Sequence, residues 1–229
     1  MHIGIVSCSA EGACNSLRTI CTEGARHSGA SHAHPEVSLH IMPLANYMRH
    51  LDRGDHEQIA TLMLQSAKKL ASIGAQMLIS PDSSVHGAMP LVLPQSPLPW
   101  LSVSEVVAEA ALVAGYQTIG LLGTSWVVDS GVYQQSLQTY RVQCLVPPPE
   151  VTATIDDILL SEMFLGIRKM ESFRFFQATV QEMKKQGAEA IILGASEMSL
   201  MLNTENLGLP VLAPAQLLAQ EALRCVANL

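Results

Sequence analysis

Positive charge is scarce in this chain and gathers nowhere. Only 14% of the 229 residues are charged, the formal net charge is −7, and Lys and Arg form no cluster. That excludes the basic footprint needed to hold a nucleic acid or an anionic membrane surface, and leaves a small molecule as the expected partner. Long apolar runs are missing as well: none approaches the roughly 20 residues of a membrane helix. Met1-His2-Ile3-Gly4-Ile5-Val6 has neither the charged leader nor the long apolar segment of a signal peptide. It reads directly as a strand, so a cytoplasmic protein is expected. The five cysteines, Cys8, Cys14, Cys21, Cys144 and Cys225, are odd in number and contain no Cys-x-x-Cys pair, so neither disulfides nor zinc are expected. Ser9-Ala10-Glu11-Gly12 is neither a Gly-x-Gly-x-x-Gly nor a P-loop pattern, and Ser125 is not in a Gly-x-Ser-x-Gly elbow. Nucleotide cofactors are therefore unsupported. His27, His32 and His34 share a polar stretch that reads as a solvated loop.

Hydrophobic residues, by contrast, make up 48% of the chain, enough for a sizeable buried core. Short apolar runs alternate with helical patterns. Strands are expected at residues 3–6, 36–42, 77–80, 98–103, 118–122, 143–146, 190–194 and 210–212. Helices are expected at residues 15–26, 56–73, 106–114, 130–140 and 215–226, with one or two more inside 155–187. Strand–helix alternation of this kind means parallel sheets with crossover helices.

The chain also repeats itself. Lys68 to Ala75 leads into Met77-Leu78-Ile79-Ser80, and Lys184 to Ala188 leads into Ala190-Ile191-Ile192-Leu193. Aligning Gly74 with Gly187 sets Asp82 opposite Ala195 and Ser83 opposite Ser196. Ile3-Gly4-Ile5-Val6-Ser7 pairs in the same way with Ile119-Gly120-Leu121-Leu122-Gly123. Each of the four segments ends in a turn at the carboxyl end of a strand, where parallel sheets place ligands. Two similar halves facing each other would set the four turns around one central cleft.

On those turns lie three segments that carry a resemblance. Leu121-Leu122-Gly123-Thr124 followed by Ser130-Gly131-Val132-Tyr133 is similar to the Gly-Thr…Ser-Gly-x-Tyr segment of the aspartate/glutamate racemase superfamily. Pro81-Asp82-Ser83-Ser84-Val85-His86 lies where that group carries Pro-Cys-Asn-Thr-Ala-His. Leu193-Gly194-Ala195-Ser196-Glu197 lies where it carries Leu-Gly-Cys-Thr-Glu. The order and spacing agree over essentially the whole chain. The resemblance implies two Rossmann-like parallel-sheet domains related by pseudo-twofold symmetry, divided here into residues 1–100 with 213–229 and residues 101–212. It implies a homodimer that holds an amino or carboxylic acid of the Asp/Glu type between its domains, without pyridoxal phosphate or metal. In the family a cysteine on each face of the substrate moves the α-proton, because inverting a stereocentre means removing the proton from one face and returning it to the other.

This sequence departs from that pattern at both cysteines. Asp82 stands at the first position and Ala195 at the second, and alanine moves no proton. Ser83, Ser84 and Ser196 replace other polar residues and keep hydroxyls for a carboxylate, whereas Val127 replaces a threonine. Asp82 then becomes the candidate base, if burial raises its pKa. The other face would need water, Cys8, His86 or Glu197. Ser9, Ser83, Ser84, Gly123, Thr124, Ser125, Ala195 and Ser196 are the expected substrate-binding positions. A racemase or isomerase is the first expectation, with a single-base lyase or decarboxylase as a variant of it. The other is a binding or regulatory protein whose cleft is filled by residues such as Trp126 and Val127.

Overall fold

The computed structural model describes residues 1–227, so the last two residues of the first expected domain, 228 and 229, lie outside the described residues. In chain order the elements are β1 (His2–Ser7), α1 (Ala10–Ser28), β2 (Glu36–Ile41), α2 (Leu44–Leu51), α3 (His56–Ser72), β3 (Met77–Ile79), α4 (Met89–Val92), α5 (Val103–Ala114), β4 (Thr118–Leu122), α6 (Ser125–Ser130), α7 (Val132–Thr139), β5 (Gln143–Leu145), α8 (Pro149–Ser161), α9 (Met170–Lys185), β6 (Ala190–Leu193), α10 (Thr204–Leu207), β7 (Val211–Leu212) and α11 (Pro214–Ala227). Short 3-10 turns follow β3 and β6, at Ser83–Ala88 and Ser196–Leu200. No helix among the described residues is long and apolar enough to cross a membrane.

Two parallel sheets result, with strand orders β2-β1-β3 and β5-β4-β6-β7. The first three places of each sheet correspond one to one, β1 with β4, β2 with β5, β3 with β6. The two sheets are the pseudo-symmetric halves that the repeated segments foretell. The central strands are apolar on both faces, as buried parallel strands must be: every residue of β1 is buried. The correspondence reaches single residues. Gly4 of β1 pairs with Leu78 of β3, and Gly120 of β4 pairs with Ile191 of β6. A Cβ on Gly4 would lie 2.6 Å from a Leu78 methyl, and one on Gly120 would lie 2.7 Å from an Ile191 methyl. In both halves the central strand gives up a side chain at the same place so that its neighbour's can lie across it.

Helices α1, α5, α7 and α11 share one core with both sheets, in which Ile3, Ile5, Ile79, Ile119, Leu121 and Ile192 meet Val107, Leu137 and Leu218. Helices α8 and α9 cover the outer face of the second sheet around Phe176 and Leu159, and α2 and α3 lie over the first around Tyr47 and Met63. The closing helix α11 packs along α1, so the chain's end returns to the half where it began.

Several sequence expectations change, and His27, read as part of a solvated loop, lies in the last turn of α1. The strand expected at residues 98–103 is a single bridge, Leu78 to Trp100, in the place beside β3 that β7 takes beside β6. Pro97 and Pro99 lack the N–H groups a longer ladder needs, and Val103 already belongs to α5. The helix expected at residues 130–140 is α7, and an unexpected helix, α6, precedes it, closed at Gly131 by a left-handed φ of 66°. Helix α2 was not foreseen: its eight residues mix Asn46, Arg49 and His50 with the buried Tyr47 and Leu51.

Candidate active site

The carboxyl ends of β1, β3, β4 and β6 meet between the halves. After β3 the chain stays extended through Asp82 and then turns into the 3-10 segment; after β6 it does the same through Ala195. Asp82 and Ala195 thus hold equivalent places on opposite sides of one cavity. Ser83 and Tyr133 join the halves, hydroxyl to hydroxyl at 2.7 Å.

Asp82 is buried. Its Oδ2 accepts from the Ser7 hydroxyl at 2.6 Å and from the Cys8 backbone N–H at 2.7 Å. Burial raises its pKa, and the Ser7 and Ser9 hydroxyls and the Cys8 amide pull the other way without cancelling that rise. Glu197, on the first turn after Ala195, is also buried. Its pKa is pushed up to about 7, by burial first and then by repulsion from Asp82 and Glu11, while its own backbone N–H and Ser9 oppose the shift. The Cys8 thiol is raised well above the ordinary range, by burial first and then by the Asp82 charge. A thiolate is therefore disfavoured there, and Glu197 holds a proton part of the time near neutral pH.

The cavity between these groups is small, with about 30 Å³ of free space, room for a water or two. Of the residues singled out from sequence it brings together Cys8, Ser9, Asp82, Ser83, Ser84, Thr124, Ala195, Ser196 and Glu197. Gly123, Ser125 and His86 do not line it. His86 is buried under its own turn, donates from Nε2 to the Ser80 carbonyl at 2.9 Å, and is held neutral by burial with a pKa lowered to about 4. Ser125 caps the other side: its N–H reaches Asp156 at 2.9 Å. Among the described residues the Thr124 hydroxyl, buried in the cavity wall, has no hydrogen-bond partner.

Trp126 and Val127 line the cavity, as the filled-cleft expectation has it, but so do Leu44 and Phe164, which no motif announced. Leu44 opens α2 and Phe164 sits between α8 and α9, so only the fold makes them neighbours. Leu44 and Phe164 also line an outer pocket of about 600 Å³ that shares Cys8, Ser9 and Glu197 with the cavity and has Arg168 on its wall. On the other side Trp126 separates the cavity from a pocket of about 440 Å³ and donates its indole N–H to Asp52 across the seam at 3.1 Å.

Fold and site together define an α/β protein with a carboxylate-lined cavity between duplicated halves. The chain belongs to the Asp/Glu/hydantoin racemase family, whose sequence model matches residues 15–222. Its fold is that of solved structures well below the identity at which function follows. A candidate Asp/Glu racemase from Yersinia pestis has a TM-score of 0.86 at 22% identity, with 100% of this chain and 99% of that chain covered. An aspartate racemase homologue from Pyrococcus horikoshii OT3 has a TM-score of 0.80 at 20% identity, with the same coverage of 100% and 99%. Glutamate racemase from Francisella tularensis, solved with D-glutamate, has a TM-score of 0.72 at 12% identity, covering 99% of this chain and 80% of that one.

Proposed function

We propose that this protein is a cofactor-independent racemase or isomerase that moves a proton at the α-carbon of a small amino or carboxylic acid of the Asp/Glu type, with Asp82 as base and Glu197 as acid. One observation carries this reading: a carboxyl group from each half's post-strand turn faces the same buried cavity, and one of them, Glu197, titrates near neutrality. A catalytic group is most effective when its pKa lies near the working pH. Ionised Asp82 takes the α-proton, and the electron pair of the broken C–H bond moves into the substrate carboxylate. Hydroxyls of Ser83, Ser84, Thr124 and Ser196 hold that carboxylate as its charge builds. Glu197 then supplies a proton, with the Cys8 thiol as a second source. On this reading Asp82 and Ala195 stand where the family carries cysteines. A lyase or decarboxylase would need only the Asp82 side. As part of the same proposal, residues 1–100 with 213–229 and residues 101–212 act as two domains, and the protein works as a homodimer in the cytoplasm.

The small size of the cavity favours a second reading, a racemase-like binding protein. At about 30 Å³ it admits no amino acid unless Leu44, Phe164 or Trp126 moves aside. Incubation with a panel of amino and dicarboxylic acids in deuterium oxide, followed by NMR, separates the two. α-Proton exchange supports the first, and chiral analysis of the product divides racemase from lyase. Binding without exchange on any ligand establishes the second.

Thr124 offers a separate check on the cavity as the ligand site. Its buried hydroxyl has no protein partner among the described residues, so Thr124→Val should stabilise the free protein by about 1 kcal/mol, because an unmet polar group is removed. The same change should weaken binding of any ligand that exchanges about tenfold, by taking away a waiting donor. Thermal unfolding and a binding titration read the two effects. Destabilisation with unchanged affinity would place the ligand elsewhere.

A further inference from the structure

Ser7 was not among the residues singled out from sequence, and it makes a 2.6 Å hydrogen bond to the candidate base. With the Cys8 amide at 2.7 Å it occupies Oδ2 of Asp82 with two donors. The Ser9 carbonyl lies 2.9 Å from the Ser7 hydroxyl, a second acceptor that shares its one proton. The other oxygen, Oδ1, points elsewhere. It lies 3.2 Å from where a Cβ on Gly12 would be, beside the Ser196 hydroxyl at 3.1 Å and the Ser9 hydroxyl at 2.7 Å from the same point. Gly12 is therefore the bare spot on the first turn of α1 over which Oδ1 and a hydroxyl of the opposite half come together.

We infer that Ser7 is a positioning residue that fixes the Asp82 carboxylate, with Oδ2 held by Ser7 and the Cys8 amide and Oδ1 beside the Ser9 and Ser196 hydroxyls. The inference rests on the proposed proton transfer for its catalytic meaning, but the clamp itself stands on the hydrogen bonds. A carboxylate free to rotate would present either oxygen, and a misaligned proton acceptor costs rate even when its chemistry is intact. The clamp fixes the side chain through β1, the central strand of its sheet, and so ties the base to the most rigid part of its half. It also favours the charged form, because both donors are best matched to an ionised oxygen. Ser7 thereby offsets part of the penalty that burial places on Asp82.

The groups that face Asp82 from neighbouring elements are Cys8 and Ser9 after β1, Glu197 after β6 and Tyr47 of α2. Any titration of Asp82 is read against these. Cys8 and Tyr47 are both pushed upward, so neither changes charge near neutral pH, and Glu197 is the partner to control.

The test uses the full chain with carbon-13-labelled aspartate, the Asp82 signal being the one missing in Asp82→Asn. Ser7→Ala should raise the Asp82 titration midpoint by about one pH unit, the usual size for a lost hydrogen bond to a charged group. Ser7→Thr, which keeps the hydroxyl, should restore it, and the shift should persist in a Glu197→Gln background. An unchanged midpoint in Ser7→Ala overturns the clamp. A midpoint that moves alike in Ser7→Ala and Ser7→Thr overturns it also, since a merely structural disturbance would do that. If the midpoint behaves as expected but no substrate in the panel exchanges, the clamp stands and the proton-transfer reading falls.

Discussion

Asp82→Asn should reduce α-proton exchange by about 10³-fold while the protein stays folded. Placed general bases contribute roughly 10² to 10⁴ in rate, and asparagine cannot accept a proton. The amide keeps an oxygen in the place of Oδ2, where the Ser7 hydroxyl and the Cys8 N–H can still donate to it. Replacing a carboxyl whose ionised form is disfavoured by burial with a neutral group costs nothing in desolvation, so thermal unfolding at pH 7 should not fall. Exchange rates by NMR and the unfolding midpoint are both needed. Undiminished exchange would mean that another group takes the proton, and persistent ligand binding without exchange in the parent would leave a binding protein.

Glu197→Gln should act in opposite directions on activity and stability. As the acid, Glu197 must carry its proton, which it does below a pKa of about 7. The parent's exchange rate should rise as Asp82 ionises and fall above about pH 7 as Glu197 loses its proton. The variant should lose about 10²-fold at the optimum and lose the falling limb altogether. The sign for stability follows from the same shift. A carboxyl raised from 4.5 to about 7 in the folded protein binds its proton more tightly there than in the unfolded chain. Its contribution is neutral below about pH 4.5, turns unfavourable as pH rises through that window, and reaches about 3 kcal/mol above pH 7. Glutamine carries no such cost. The variant should therefore melt roughly 5–10 °C higher than the parent at pH 8 and within a degree or two of it at pH 4.5. Equal melting at both pH values would mean that Glu197 is solvated and titrates normally, and would remove it as the acid.

Much of this site was legible in the sequence because the signals are local. The Gly-Ala steps at Gly74 and Gly187 mark where a helix stops and a buried strand begins, and counting eight residues onward reaches Asp82 and Ala195. The count holds in space because both halves run helix, turn, strand and 3-10 turn with identical spacing. His86 shows where such counting stops. It lies only four residues beyond Asp82, but the 3-10 turn carries its ring back beneath the strand end to the Ser80 carbonyl. Ser7 shows the reverse. Nothing in Val6-Ser7-Cys8 distinguishes a strand-end serine from any other, and its role exists only because β3 lies beside β1 and delivers Asp82 to it.

What the sequence alone determined is the class of fold, the duplication, and the two turns that face each other across the cavity. Apolar periodicity, glycine stops and an aligned repeat are properties of short segments, and they survive without knowledge of what packs on what. Tertiary structure decided how much room the cavity has, which walls close it and how its carboxyls titrate. Leu44, Phe164 and Trp126 come from three separate stretches of chain, and they leave about 30 Å³ only because the halves press together there. The raised pKa of Glu197 has the same origin. Burial and the nearness of Asp82, which is 115 positions earlier (197 − 82) and in the other half, set it, and both depend on distances that no pattern of residues encodes.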